Sequence, residues 1–413
     1  MTDGGGTVPP ELGVARRLVE RGHRVTVLGE DSMAAEVART AAVFVPWTEG
    51  LNRRDRDPAN NPYKDWELGP IAQVRAMADH LVAGPAAGYA RDLLGAVADE
   101  RPDLVLTSVF AFGAMAAAES VDLPFDVLLP NIYPFPADGA PPMGMGLRPA
   151  TGRLGRARNR LIVAASVRTM DRYVLPRVNA LRRDLGVTEL EHALDQPGRA
   201  RHQLLMTSPA FDFPADLPPN VRYVGPVLDD PSWAEAATDG IAWSPPPDAP
   251  LVLVALSSTF QDQGGTLQRI VDALADQPVR GLVTTGPGLD PAIVRAPANV
   301  TVVRSAPHQA VLPHAALVVT HGGHGTIVKS LTAGVPLVVL PHGRDQADNA
   351  VRVTERGAGL RLPRTAPPKK IARTVRRVLE DPSYARAAAV LGEAIRRDAE
   401  SQVLLETLEN LAT

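Results

Sequence analysis

The sequence predicts two consecutive α/β domains, each built on a parallel sheet. Three observations carry that expectation. At 413 residues the chain is longer than one ordinary core organises, so two domains of roughly 200 residues each are expected. In both halves short apolar runs alternate with helical periods, the pattern of strand–helix–strand units. Between the halves, residues 209–250 are dense in proline and lack helical period, which reads as a linker. The expected division is residues 1–225, residues 226–385 and a closing helical segment, 386–413.

In the first half a helix is expected at 12–21, a strand at 25–28, a long helix over 71–100, and strands at 104–107 and 125–129. Residues 130–149 carry Pro134, Pro136, Pro141, Pro142, Gly139, Gly144 and Gly146, so they form a loop over the strand ends, where open α/β sheets bind ligands. The turn Gly4-Gly5-Gly6 precedes the first helix, and in a doubly wound sheet such a turn is entered from a central strand. Met1-Thr2-Asp3 are too few and too polar to be that strand. The first strand of the N-terminal domain is therefore expected to be missing, with the translation start upstream. From Arg148 to Arg183 there are ten arginines, several at helical spacing, with Leu154, Leu161, Ile162 and Ala165 proposed as an apolar face. This helix reads as a solvated face of the first domain, with contact to an anionic membrane as the alternative. The second half supplies strands at 251–256, 281–285, 300–303, 317–319 and 335–340, then a final helix over 384–411.

Composition narrows the function. Apolar residues make up 45% and charged residues 22%, and a net charge of −3 gives no reason to invoke nucleic acid. There is no cysteine, which excludes disulfides, thiolate metal sites and cysteine nucleophiles. The first residues have neither a basic nor an apolar leader region, and no apolar stretch approaches the ~20 residues of a membrane span, so a cytoplasmic enzyme is expected. The single Asp-x-Asp, Asp55-Arg56-Asp57, lies among arginines away from a strand end, so no metal site is expected.

The chemistry concentrates in the second half. The strand at 317–319 runs into His321-Gly322-Gly323-His324-Gly325-Thr326, where glycines let the turn approach a ligand and a helix begins. A helix N-terminus offers unpaired N–H groups and partial positive charge, which suits a diphosphate. The next strand, 335–340, ends in a loop whose Asp345 and Gln346 can accept and donate hydrogen bonds to sugar hydroxyls. Ser257, Ser258 and Thr259 follow the strand at 251–256. Phosphates on one loop and hydroxyls on the next describe a glycosyl donor.

This stretch, from Pro307-His308 through Gly357-Ala358-Gly359, resembles the donor-binding signature of family 1 glycosyltransferases of the GT-B fold, which include bacterial enzymes acting on antibiotics and other natural products. The resemblance implies two Rossmann-like domains facing a cleft, with an acceptor-binding first domain and a C-terminal helix crossing back onto it. It implies diphosphate contacts from Ser257, Ser258, His321, Gly323, Gly325 and Thr326, a nucleobase turn at Pro307 and His308, and sugar contacts from Asp345 and Gln346. No cofactor is implied beyond the UDP- or dTDP-sugar co-substrate. The partners are that nucleotide sugar and a lipophilic small-molecule acceptor.

The family's catalytic dyad does not carry over. Its histidine would fall at Thr7 and its aspartate at Ser108, and neither serves as a base at neutral pH. Asp138 and His80 are the nearest substitutes. The missing dyad motivates an alternative, a non-catalytic or accessory homologue that binds nucleotide sugar or a partner enzyme. Retained, it points to acidic acceptors such as phenols.

Overall fold

Runs of valine and leucine such as Leu251-Val252-Leu253-Val254 have branched or bulky side chains on both faces, which suits strands covered by helices on both sides. The computed structural model describes residues 1–235 and 249–411, so residues 236–248 of the expected linker lie outside the described residues. Among the described residues, three parallel sheets form. The first pairs β1 (Thr26–Gly29) with β2 (Val43–Pro46). The second runs in the order β3 (Val105–Ser108), β4 (Phe125–Leu129), β5 (His202–Leu205), β6 (Val221–Tyr223). The third holds β7 (Leu251–Ala255), β8 (Arg280–Thr284), β9 (Val300–Val303), β10 (Ala315–Thr320), β11 (Leu337–Val339) and β12 (Gly359–Arg361) in the order β12-β11-β10-β7-β8-β9. That is the doubly wound order, with its reversal between β7 and β10.

Between the C-terminal ends of β1 and β3 lie Met1–Asp3 rather than a strand: the Met1 amino group bonds to the Leu28 carbonyl, and the Thr2 N–H donates to Ser108 Oγ at 3.2 Å. Two arginines pair with acidic side chains around this segment. Arg53 pairs with Glu30 at 2.5 Å, and Arg56 bridges Asp3 at 2.7 Å and Glu36 at 2.5 Å. Helix α1 (Val8–Glu20) starts directly after the glycine turn, with Pro9 and Pro10 in its first turn, where a missing N–H costs nothing.

Several expected elements are corrected. The long helix over 71–100 is broken at Ala83-Gly84-Pro85 into Pro70–Met77, a π turn at Ala78–Val82, and Ala86–Asp99. Proline removes an N–H and clashes with the preceding turn, so one helix cannot continue through it. The proline-dense segment is not wholly irregular, since it holds β6 and the short helix Ser232–Glu235. The arginine-rich helix α2 (Arg153–Tyr173) projects from the first domain, with Leu154 and Leu161 89% and 73% exposed. Its proposed apolar face is therefore not buried. No helix among the described residues is long and apolar enough to cross a membrane.

The second domain places α3 (His324–Thr332) after β10 and α4 (Gln346–Glu355) after β11. The expected final helix is two, α5 (Pro382–Ala399) and α6 (Val403–Glu409). α6 lies on the first domain: Leu404 and Leu408 join Val14, Leu128, Leu204 and Met206 in one core, and Arg21 pairs with Glu409 at 2.6 Å. Gly225 sits where the chain leaves β6 and meets α5. Its φ is +75°, and a Cβ there would lie 2.0 Å from the Asp398 carbonyl oxygen. Gly186 has a similar φ of +72° with nothing within 4 Å of a Cβ. Gly186→Ala is expected to cost about 1–2 kcal/mol, the backbone penalty alone. Gly225→Ala is expected to cost more than about 3 kcal/mol, because the collision is with backbone that cannot rotate away. Urea denaturation of the two variants tests this, and equal losses would refute the close contact.

Candidate active site

Neighbouring strands β7 and β10 send their chains in opposite directions, β7 toward β8 and β10 toward β11. A crevice opens at their C-terminal ends for that reason. The residues that leave those ends are Ser257-Ser258-Thr259 and His321-Gly322-Gly323. The structure thus brings together two expected diphosphate loops that are distant in the chain.

The second loop has little freedom. Gly322 has φ +103°, and a Cβ on it would lie 2.9 Å from the Gln346 carbonyl oxygen. A Cβ on Gly323 would lie 2.8 Å from both Cε1 and Nε2 of His321. The imidazole therefore lies over the N-terminal end of α3, where only glycine leaves space for it. His321 is buried, and burial, with the nearby charges of His342 and Arg344, lowers its pKa to about 3. It is neutral at physiological pH, and its ring also hydrogen-bonds to the Ala255 backbone. A Cβ on Gly325 meets nothing within 4 Å, so the first turn of α3 opens onto free space, with Thr326 half-buried beside it. His324 points the other way. Its Nε2 lies 2.8 Å from Thr207 Oγ1, and its ring meets Phe211 edge-on at 6.0 Å.

Across the crevice, Ser257 is buried with Oγ 3.1 Å from Thr259 Oγ1. Pro307 caps the short helix His308–Val311, and His308 Nε2 lies 3.3 Å from Thr284 Oγ1 at the end of β8. Asp345 sits at the N-terminus of α4, where its Oδ2 accepts from Asn349 Nδ2 at 2.5 Å; Asn131 of the first domain also bonds to it. Burial raises the Asp345 pKa. Gln346 is engaged at both ends: Oε1 accepts from the N–H groups of His342 and Gly343 at 2.7 and 3.1 Å, and Nε2 donates to Gln261 at 2.8 Å. In this structure it shapes the loop that carries Asp345.

Arg344 was not anticipated from sequence. It is one of four non-glycine residues with positive φ, at +56°, among the described residues. Its guanidinium pairs with Asp65 of the first domain at 2.8 Å and donates to Thr259 Oγ1 at 3.2 Å. Beside it Trp66 packs edge-on against Phe260 at 5.1 Å. The first domain thus reaches over the donor loops. No local signal marks Asp65, whose partner lies 279 positions away.

The dyad positions also come together. Thr7 immediately precedes α1, and Ser108 ends β3. Ser108 Oγ donates to Glu11 at 2.5 Å. Glu11 is another residue the sequence reading passed over, since a glutamate in the first turn of a helix is ordinary dipole chemistry. Neither substitute sits there. Asp138 is exposed and bridges to Asp216, and His80 is exposed on the π turn.

Histidines that the fold keeps neutral make stability acid-sensitive. Burial lowers His308, His321 and His324 to about 4, 3 and 4. Unfolded, each binds a proton near pH 6.5, so below that value the unfolded chain holds more protons and stability falls with pH, by up to about 1.4 kcal/mol per pH unit per histidine. Glu11, raised by burial to about 7, acts in the opposite sense over the same window. His324→Asn, which retains a polar contact for Thr207, is expected to lose less stability than the parent between pH 6.5 and 5, by up to about 1.4 kcal/mol per unit. Urea titrations at both pH values check this, and parallel losses would show that His324 is already charged in the fold.

Comparison with known proteins agrees with the geometry. Residues 268–411 match the family described as Erythromycin biosynthesis protein CIII-like, C-terminal domain. The chain is 32% identical to 4'-demethylrebeccamycin synthase of Lentzea aerocolonigenes, over 96% of this chain and 95% of that protein. It is 28% identical to demethyllactenocin mycarosyltransferase of Streptomyces fradiae, over 98% of this chain and 84% of that one. The crystal structure of the glycotransferase of kitacinnamycin superposes with a TM-score of 0.75 at 26% identity, covering 99% of this chain and 97% of that one. The accessory reading is set aside in favour of an enzyme. Two Rossmann-like parallel sheets, donor loops meeting at a strand-order reversal, and likeness along the whole chain place this protein in family 1 of the GT-B glycosyltransferases, among the antibiotic glycosyltransferases.

Proposed function

We propose that the enzyme moves a hexose from a UDP- or dTDP-sugar to a lipophilic small-molecule acceptor of the natural-product type, by a metal-independent displacement that inverts the anomeric centre. The observation that carries this reading is the seat of His321 over Gly323 at the start of α3, opposite Ser257 and Ser258. Charge grows on the departing diphosphate in the transition state, and preorganised N–H donors aimed at it lower the barrier without reorganising. The neutral His321 ring and the first N–H groups of α3 supply such donors, and Arg344 adds a cation nearby. A single displacement, with the acceptor attacking the anomeric carbon on the face opposite the departing diphosphate, inverts that centre. The names of the two relatives, a demethylrebeccamycin synthase and a mycarosyltransferase, support the acceptor class.

Calorimetric titration with UDP, dTDP and their glucose conjugates, followed by mass-spectrometric screening of aglycones, tests the proposal. His321→Ala is expected to weaken both diphosphates by about 1.5–3 kcal/mol, the range for a hydrogen bond to a charged group. Unchanged affinities would sink the assignment. Asp345→Ala is expected to leave free dTDP binding within about twofold while weakening dTDP-glucose, because its carboxylate would meet only hydroxyls. Equal losses for both ligands would make it a structural cap.

A further inference from the structure

Thr7 and Ser108 stand where related enzymes carry a histidine and an aspartate, and in the structure Ser108 bonds to a third side chain, Glu11. Glu11 lies one turn beyond Thr7 on α1, with its N–H 3.3 Å from the Thr7 carbonyl oxygen. Its side chain turns inward and is 2% exposed. Ser108 Oγ accepts from the Thr2 N–H at 3.2 Å and donates to Glu11 Oε2 at 2.5 Å. The backbone donor therefore directs the hydroxyl proton at the carboxylate. The turn that leads into α1 abuts the donor loop, since a Cβ on Gly5 would lie 2.3 Å from Thr259 Cγ2 and 3.2 Å from Ser258 Oγ. Thr7, one turn before Glu11, is shorter than a histidine by most of an aromatic ring.

We infer that Glu11 is the general base of the transfer and that Ser108 is its positioning residue. The inference rests on the transferase reading above. In the step, the acceptor's X–H proton passes to a Glu11 carboxylate oxygen while the lone pair of X forms the bond to the anomeric carbon. The bond from that carbon to the diphosphate oxygen breaks, and its electron pair leaves with the nucleotide. Glu11 then returns its proton to solvent. The environment suits the role. Burial pushes the carboxyl up to about 7, against the Ser108 hydrogen bond and the Met1 amino group, which act downward, while the Asp3 carboxylate acts upward. A base titrating near the working pH combines availability with driving force.

Two measurements on the full-length protein test the inference. The first needs no substrate: the folded protein is treated with a water-soluble carbodiimide and glycine ethyl ester at pH 6.5, then digested and mapped by mass spectrometry. An adduct at Glu11 is expected. Its absence overturns the inference, because a carboxylate no small molecule reaches cannot take a proton from an acceptor. The second compares the parent, Glu11→Gln and Ser108→Ala in hydrolysis of dTDP-glucose and UDP-glucose, with water as the acceptor, and in transfer to 4-methylumbelliferone, from pH 5.5 to 9. Glu11→Gln, which keeps a hydrogen-bond acceptor for Ser108, is expected to lower kcat at least about 100-fold, within the range for a lost general base, and to abolish the rise in rate around neutral pH. Ser108→Ala removes a bond that favours the charged carboxylate, so its midpoint is expected to move to higher pH. A Glu11→Gln rate within threefold of the parent, or an unmoved midpoint in Ser108→Ala, refutes the role. Binding of dTDP in every variant separates the two levels. Loss of binding in the parent fails the transferase reading, whereas normal binding with unchanged Glu11→Gln turnover fails this inference alone.

Discussion

The reversal of strand order between β7 and β10 is the constraint on which the site depends. Two parallel strands lie side by side, and their following helices must pack on opposite faces of the sheet. The space at their C-terminal ends is then left unfilled by either connection. The expected diphosphate contacts lie on the rim of that space: Ser257 after β7, His321 after β10, and the opening turn of α3. The glycines follow from the same constraint. The exit from β10 must turn sharply past α4, which requires the positive φ of Gly322. It must also leave room for an imidazole, which excludes any side chain at Gly323.

α4 joins the site to the rest of the molecule. Its N-terminus presents Asp345, while one turn later Asp348 accepts from the N–H groups of Gly144 and Gly146 in the loop that follows β4. Further along, Arg352 pairs with Asp212 at 2.6 Å and lies 4.5 Å over the Phe213 ring. Buried pairs of this kind contribute little net stability, yet removing one partner strands a charge and typically costs about 3–5 kcal/mol. They therefore act as registry devices. The helix that carries a candidate sugar ligand also sets where the first domain sits, and Arg344 repeats the arrangement from the preceding loop through Asp65.

The first domain meets a different problem. Its strands form two separate pairings, and the segment between them is held by polar contacts instead of a ladder: Met1 on Leu28, Thr2 on Ser108, and the cluster of Asp3, Glu30 and Glu36 with Arg53 and Arg56. The same contacts turn the hydroxyl of Ser108 toward Glu11. The contacts that hold Met1–Asp3 thus also orient the hydroxyl beside the group assigned as base.

Local physics made much of this legible in the sequence. Apolar runs such as 251–256 and 300–303 could only be strands, the glycines after 317–319 marked a helix start open to an anion, and the pairing of that turn with Asp345 described a donor site. Each of those signals sits within a few residues of its consequence. β5, β6 and β12 escaped notice because they span only three or four residues and carry charged or polar positions, so their strand character comes from their neighbours, while β2 is apolar but only four residues long and ends in a proline. The break in the helix over 71–100 was written in Pro85, but its place depended on packing. Contacts between distant positions were out of reach altogether. Arg344 with Asp65, Asp348 with Gly144, and Ser108 with Glu11 are separated by 279, 204 and 97 residues, and no short-range pattern distinguishes those side chains from solvated ones. The sequence by itself determined the fold class and the donor motif, because both rest on periodicity and backbone freedom. Only the tertiary structure decided which domain face closes on the donor and which carboxylate stands at the vacant dyad, because charge pairing and burial exist only once distant segments meet.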